Sequence, residues 1–335
     1  MVPQIISICS GKGGTGKTII TANIGLALGM FSKRVTMIDL DLGKPNLAFR
    51  LGLLHPELTL DNFLRKKGRE KRVDSLEDIS YKAIIETQDD QDTLDTTRDK
   101  NHHNDHCKLI PGAKSIGIGD LQTGLKKRLI KNILQIPSEF ILLDQSAGIH
   151  HTTIDLYLQR LYRNTTNFHN QGILITLPHD PSSIFDIAQF IECAVYRQLD
   201  RYFFNIPEIH QCILQYKDPL TSNFSSLIDL ADTITAIDRF SGDIVSEIIN
   251  GFTIHILFNM VTEADVPLLK AKFQGIYNYF KKLMGISINY LGSLSYSYDI
   301  VESCTLKKPF FTYFSDSQST NNIGKIAQNL IEYNK

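Results

Sequence analysis

Residues 11–18 read Gly-Lys-Gly-Gly-Thr-Gly-Lys-Thr. Glycine at four of six consecutive positions rules out a packed element here and demands a tight, backbone-exposing junction between regular ones. The spacing G-x-x-x-x-G-K-[ST] makes a loop whose inward N–H groups cradle phosphate oxygens, whose lysine reaches β/γ-phosphates and whose last hydroxyl binds Mg²⁺. Gly11, Gly16, Lys17 and Thr18 fill those positions, with Gly13, Gly14 and Thr15 between them. Lys12, just after the first glycine, is an extra cation.

The flanks agree with this reading. Residues 3–9 are short, apolar and β-branched, as a buried parallel strand requires. Ile20, Ile24, Ala27, Leu28 and Phe31 recur at helical spacing, so a helix starts at the loop's end with its positive terminus toward the phosphates. Strand, loop and helix stand in the order a nucleotide site needs.

Bulk properties narrow the class without choosing a partner. The chain has 335 residues, 42% of them hydrophobic, and a formal net charge of −1, so its overall field neither demands nor excludes an anionic partner. Its apolar start runs straight into the phosphate loop and reads as a core strand, not a signal peptide. No apolar run approaches the roughly 18 residues that span a bilayer. The cysteines Cys9, Cys107, Cys193, Cys212 and Cys304 are scattered, with no C-x-x-C, which argues against a disulfide framework or a zinc site and for a cytoplasmic, reduced protein.

Strand patterns at 4–9, 34–39, 107–110, 139–144, 172–177, 252–258 and 287–291 alternate with helical patterns near 17–31, 121–135, 151–163, 182–200, 263–284 and 317–333. That alternation predicts an α/β domain of three layers, a mainly parallel sheet with helices on both faces and ligand chemistry beyond the carboxyl ends of the strands. Residues 1–335 are expected to form one domain with two interruptions. Residues 68–106 form a partly flexible insertion, 86–106 being acidic, amide-rich and almost without large apolar side chains. Residues 201–250 carry apolar patches broken by Pro207 and Pro219 and read as a helical insertion within the domain.

Acidic residues close two strands. Asp39 and Asp41 are one residue apart, so on a pleat they point the same way; beside the phosphate loop, one holds a Mg²⁺-bound water and the other, Asp41, orients the attacking water. Residues 140–144 (FILLD) end on Asp144, a further Mg²⁺ position, and Gly148 lets the backbone approach a γ-phosphate.

Together, Lys12 with Lys17, Asp39-Leu40-Asp41-Leu42-Gly43, Leu143-Asp144 with Ala147-Gly148, and Leu257-Phe258-Asn259 resemble the ParA/MinD family of deviant-Walker P-loop ATPases, and within it the MinD-like group that includes the flagellar-number regulator FlhG (FleN). The resemblance runs nearly end to end outside the two insertions. It implies a P-loop NTPase fold, ATP and Mg²⁺ as cofactors, and an ATP-dependent homodimer in which Lys12 reaches across to the partner's phosphates. Lys17 and Thr18 then hold nucleotide and Mg²⁺, Asp39 and Asp144 support the metal, Asp41 positions water and Asn259 contacts adenine. The implied activity is slow ATP hydrolysis that resets an assembly switch controlling flagella, partitioning or division through a protein partner. Departures sit at Ala48, at Gln145-Ser146 and at Leu294-Ser295. Two other readings share the loop: a nucleotide-bound adaptor with vestigial hydrolysis, and a metallocluster or electron-transfer NTPase, which needs paired cysteines.

Weaker features have plainer explanations. The basic run 65–72 (RKKGREKR) reads as a solvated loop, although it suits nucleic acid or acidic lipid, and DNA is not the favoured ligand. His102, His103, His106 and Cys107 read as a polar segment meeting a strand, not as a metal site. Ile323, Ile326, Ala327, Leu330 and Ile331 make one apolar stripe with few cations nearby, expected to pack on the core in preference to a membrane surface.

Overall fold

Strand β1 (Gln4–Cys9) is buried at five of its six positions, as its apolar composition requires, and both its edges take parallel partners. The computed structural model describes residues 3–64, 71–83, 106–159, 169–218 and 222–334. Seven further strands follow in the chain: β2 (Val35–Leu40), β3 (Tyr81–Lys82), β4 (Cys107–Ile110), β5 (Phe140–Gln145), β6 (Asn170–Thr176), β7 (Phe252–Val261) and β8 (Ile288–Ser295). They form one eight-stranded sheet in the order β3-β4-β2-β5-β1-β6-β7-β8. Every pairing is parallel except that of β3 with β4.

Successive strand residues face opposite sides, and the buried clusters follow that rule. Ile6, Ile8, Val35, Met37, Phe140 and Leu142 pack with helices α1 (Lys17–Met30) and α13 (Gln318–Tyr333). Ile5, Ile38, Leu40, Ile141 and Leu143 pack on the other face with α3 (Leu60–Leu64) and α4 (Thr123–Ile133). Farther along, Leu174, Ile254, Ile256 and Phe258 meet α5 (His151–Leu158), α6 (Ser182–Phe203) and α10 (Leu269–Met284). A buried Asp155 on α5 joins the neighbouring helices, accepting from Lys126 of α4 at 2.6 Å and from Arg197 of α6 at 3.1 Å.

Residues 201–250 hold α7 (Pro207–Lys217), α8 (Leu227–Ile237) and α9 (Arg239–Asn250). Ile213, Leu230, Ile234, Val245 and Ile248 share one buried cluster with α6 and β7, so these helices extend the layer on that face. The apolar stripe of α13 is likewise used: Ile323, Ile326, Ala327 and Leu330 are buried against the sheet and α1.

Several boundaries differ from expectation for identifiable reasons. β7 and β8 continue to Val261 and Ser295 because each keeps a parallel partner there. The helix expected from 263 opens as a 3₁₀ turn, Val266–Leu268, around Pro267, whose ring bars a continuous α-helical start. α5 ends where Gln159 takes φ 52; the expected extension to 163 lies outside the described residues. α2 (Leu47–Arg50), α11 (Tyr298–Leu306), α12 (Phe310–Tyr313) and β3 were not anticipated, being too short to declare a period. Within 68–106, residues 71–83 hold a 3₁₀ turn at Glu77–Ile79 and β3, while 68–70, 84–105 and most of the basic run, 65–70, lie outside the described residues.

A methyl group added to Gly172 of β6 lies 2.7 Å from Cε2 of fully buried Tyr157. Gly172→Ala is expected to lower stability by about 1–3 kcal/mol through overpacking, read as a lower urea midpoint at unchanged slope; an unmoved midpoint contradicts this packing.

Candidate nucleotide site

The phosphate loop leaves β1 and enters α1 where the sheet order switches between β5 and β6 on either side of β1. Gly14 (φ 79) and Gly16 (φ 90) adopt left-handed backbone, which side-chain-bearing residues resist. Space around Gly13 and Gly14 is open to 4 Å. No side chain caps the first turn of α1, so its free N–H groups and positive dipole face that opening, the arrangement that binds anions. Thr15 Oγ1 is buried without a partner.

Lys17, buried, donates to Ser10 Oγ at 3.0 Å and stands near Asp144. Asp144 and Asp39 are register partners on β5 and β2, so both fall at one level on one face. Asp144 Oδ1 accepts from Thr21 at 3.2 Å, and Thr18 adds a further hydroxyl contact. Its Oδ2 is buried and has no partner. Burial, then the charge of Asp39, pushes the Asp144 carboxyl up to about 8. Asp39 is fully buried, and burial raises it to about 6 although its Oδ1 accepts from the Asp41 N–H (3.1 Å) and its Oδ2 from those of Asn46 and Leu47 (2.8 and 2.9 Å). A cation beside these groups would reverse both shifts. The orphaned oxygen of Asp144 next to Thr18 therefore fits Mg²⁺, the oxygen-seeking ion the loop motif implies.

Asp41 lies beyond the pleat of β2. β2 ends at Leu40, and the chain turns, so Asp39 points into the fold to anchor residues 41–47 while Asp41 stands half-exposed. Its Oδ1 accepts from Ser146 at 2.9 Å. Ser146 thus joins the end of β5 to the end of β2, a role its departure from the family pattern did not reveal. Gly148 donates its N–H to Ser10 O at 3.2 Å, so this amide braces the loop's base instead of facing a phosphate.

Asn259, on β7, donates from Nδ2 to Thr15 O at 2.7 Å and lies against Gly16; the structure brings it to the phosphate loop. Lys12 is held by a different set of residues from Lys17. Its Nζ lies 3.1 Å from Asp180 and 3.9 Å from Asp186, and it also donates to Ser182 Oγ. These three partners follow β6 and were missed as partners because the pairing spans some 170 positions of sequence. Hydrogen bonding by Ser182 and Lys12 holds the Asp180 carboxyl below its usual range.

Other expectations find different places. Cys107 is buried and donates to Gly25 O at 3.3 Å; His102 and His103 lie outside the described residues. Among the described residues, no group of three or more His, Cys, Asp and Glu side chains is arranged to hold a metal, and all five cysteines are free. No helix among the described residues is long and apolar enough to cross a membrane.

A glycine-rich anion loop at the switch point of a parallel sheet, with acids closing the neighbouring strands, defines a P-loop nucleotide-binding protein. Residues 6–310 match the CobQ/CobB/MinD/ParA nucleotide binding domain, and the chain belongs to that family. It is 30% identical over 188 residues to the septum site-determining protein MinD of Synechocystis, a match covering 56% of this chain and 58% of that protein. The MinD of Bacillus subtilis is 29% identical over 191 residues, again 56% and 58%; the chain thus spans just over half the length of these relatives. The cell division ATPase MinD of Pyrococcus furiosus superimposes with TM-score 0.57 at 19% identity, covering 99% of this chain and 100% of that one. Pyrococcus horikoshii MinD complexed with Mg-ADP gives 0.56 at 21%, covering 99% and 97%. At such identities the likeness is one of fold.

Asp144 and Asp39 bind protons more tightly folded than unfolded. Without metal, the stability this contributes is fully present below the ordinary carboxylate range and is lost as pH rises through about 6 for Asp39 and about 8 for Asp144. Asp144→Asn removes the buried charge, so its melting temperature in chelator should gain on wild type as pH rises from about 5 to about 9. A constant gap across that range contradicts the buried-acid account.

Proposed function

We propose that this chain is an ATP-binding, slowly ATP-hydrolysing dimerisation switch of the MinD/ParA type that controls the placement or number of a cellular assembly. Flagella come first, through the resemblance to FlhG; division or partitioning comes next, through relatives named for the septum site. The observation that carries this reading is the seating of Lys17, Asp144 and Asp41 at three adjoining segments around one open phosphate loop.

The roles follow from placement. Lys17 and the free N–H groups of α1 take the β/γ-phosphates in their own subunit. Thr18 and Asp144 would hold Mg²⁺, with Asp39 beside them in support, and the ion would neutralise charge on the phosphate oxygens. Asp41, held by Ser146, accepts a hydrogen bond from the attacking water and orients it. Lys12 leaves its own chain's carboxylates and reaches the partner's triphosphate, which makes turnover depend on dimerisation. Asn259, already fixed to Thr15, presents its remaining amide atoms toward adenine.

A protein partner belongs to this reading, supported by the MinC:MinD complex of Aquifex aeolicus, one chain of which superimposes with TM-score 0.56 at 18% identity, covering 98% of this chain and 96% of that one. We place the switch in the cytoplasm, with any membrane visit made through an element other than the buried stripe of α13.

Light scattering with saturating ATP and Mg²⁺ tests the proposal. Wild type should run as a dimer, and Lys17→Ala should neither retain ATP nor dimerise. Asp41→Ala should stay dimeric while phosphate release falls about a hundredfold or more. Monomeric wild type and Asp41→Ala under these conditions overturn the reading.

A further inference from the structure

Gln145 stands between Asp144 and Ser146 but takes no part in the nucleotide site. Its side chain is wholly buried. Nε2 donates to Ser7 Oγ of β1 at 3.3 Å, while Oε1 has no partner among the described residues. An amide oxygen left unbonded in the core is costly, and such atoms are normally satisfied.

Two hydroxyls of α5 share its condition. Thr153 and Tyr157 lie four residues apart, so they occupy one face of the helix. Both are fully buried, and neither Thr153 Oγ1 nor Tyr157 OH has a partner among the described residues. The Tyr157 hydroxyl stands 3.2 Å from where a Cβ on Gly172 of β6 would lie. Gly172 is the register partner of Ser7, and Ser7 that of Leu143, two residues before Gln145. Ser7, Gly172 and Gln145 therefore look to the same side of the sheet. α5 runs back over that side from the carboxyl end of β5, which sets Thr153 one turn nearer than Tyr157 to the end that carries Gln145. Three unpartnered polar atoms thus face one seam between sheet and helix, with Ser7 Oγ on its floor.

The chemistry of this set selects the ligand. The amide oxygen accepts, and each hydroxyl can donate or accept. None of the groups carries a formal charge, so an ion placed there finds nothing to balance it. A small neutral molecule with donors and acceptors of its own fits, and water bonded to two to four polar neighbours is what protein interiors hold in such places. We infer that the seam is an internal water site, bound by Gln145 Oε1 and the hydroxyls of Thr153 and Tyr157 above Ser7. It stands independently of the dimer reading. It also gives Gln145, at a departure from the family pattern, a role: through water it joins the strand that carries Asp144 to α5.

Thr153→Val and Tyr157→Phe test this in the full chain without nucleotide, since each removes a hydroxyl and keeps the shape. Two measurements are paired on each variant: urea unfolding, and magnetic relaxation dispersion of the water signal, which detects water held inside a protein. Each variant is expected to unfold about fivefold more readily at equilibrium, the scale of one net hydrogen bond, and to lose part of the long-lived water signal. Either variant carries the test should the other fail to fold. Unmoved or raised stability overturns the inference, because deleting a buried hydroxyl that bonds nothing relieves the fold. Lost stability beside an unchanged water signal overturns it too, and leaves the two hydroxyls a packing role only.

Discussion

Two carboxyls at neighbouring strand ends, Asp39 and Asp144, are buried side by side with Lys17 as the nearest opposing charge. Burying like charges together is unfavourable unless hydrogen bonds and a counter-ion offset it. The architecture around the pair is what makes it tolerable. Three backbone N–H groups from residues 41–47 converge on Asp39, and that convergence shapes the turn that presents Asp41. Asp144 receives Thr21 from the helix that the phosphate loop starts. Removing the pair would free three amides and the course of the loop, so the local fold and the site's charge are one arrangement.

Much of this was legible in the sequence because parallel strands are buried on both faces and read as unbroken apolar runs. β1, β2 and β5 carried that signature, each ended in the residues that matter, and the alternation with helices implied the layers. What escaped did so for physical reasons. β3 is two residues long and antiparallel at an edge, below any period. α2 and α12 are single turns. The divergence of Asp41 from Asp39 depends on where pairing stops, since side chains alternate regularly only while the strand continues, and pairing stops at Leu40. The partners of Lys12 and Asp41 come from distant segments, and no local pattern announces a contact made by folding.

The helices of 201–250 show how an interruption in a motif pattern can still be core. Prolines there read as breaks, and Pro207 marks one by opening α7; Pro219 lies outside the described residues. Yet the apolar residues between the breaks are buried with β6, β7 and α6, so the stretch stabilises the half of the sheet that carries Asn259. Phe240 and Ile237, where α8 gives way to α9, stay exposed.

The site's parts are joined by a set of polar bonds between segments distant in sequence. Gly148 to Ser10 ties the end of β5 to the loop's base, Ser10 accepts from Lys17, and Ser146 ties that same strand end to Asp41. Asn259 ties β7 to Thr15. Charge arriving at the loop therefore acts first on Lys17 and Asp144, and through Ser10 and Ser146 on the turns at 41–47 and 146–150, both of which reach the surface. Leu42 and Leu47 anchor the first of these turns in the core, while its residues between them and most of the second stand at least partly exposed. In the proposed switch these two turns are where charge bound at the loop is expressed at the surface.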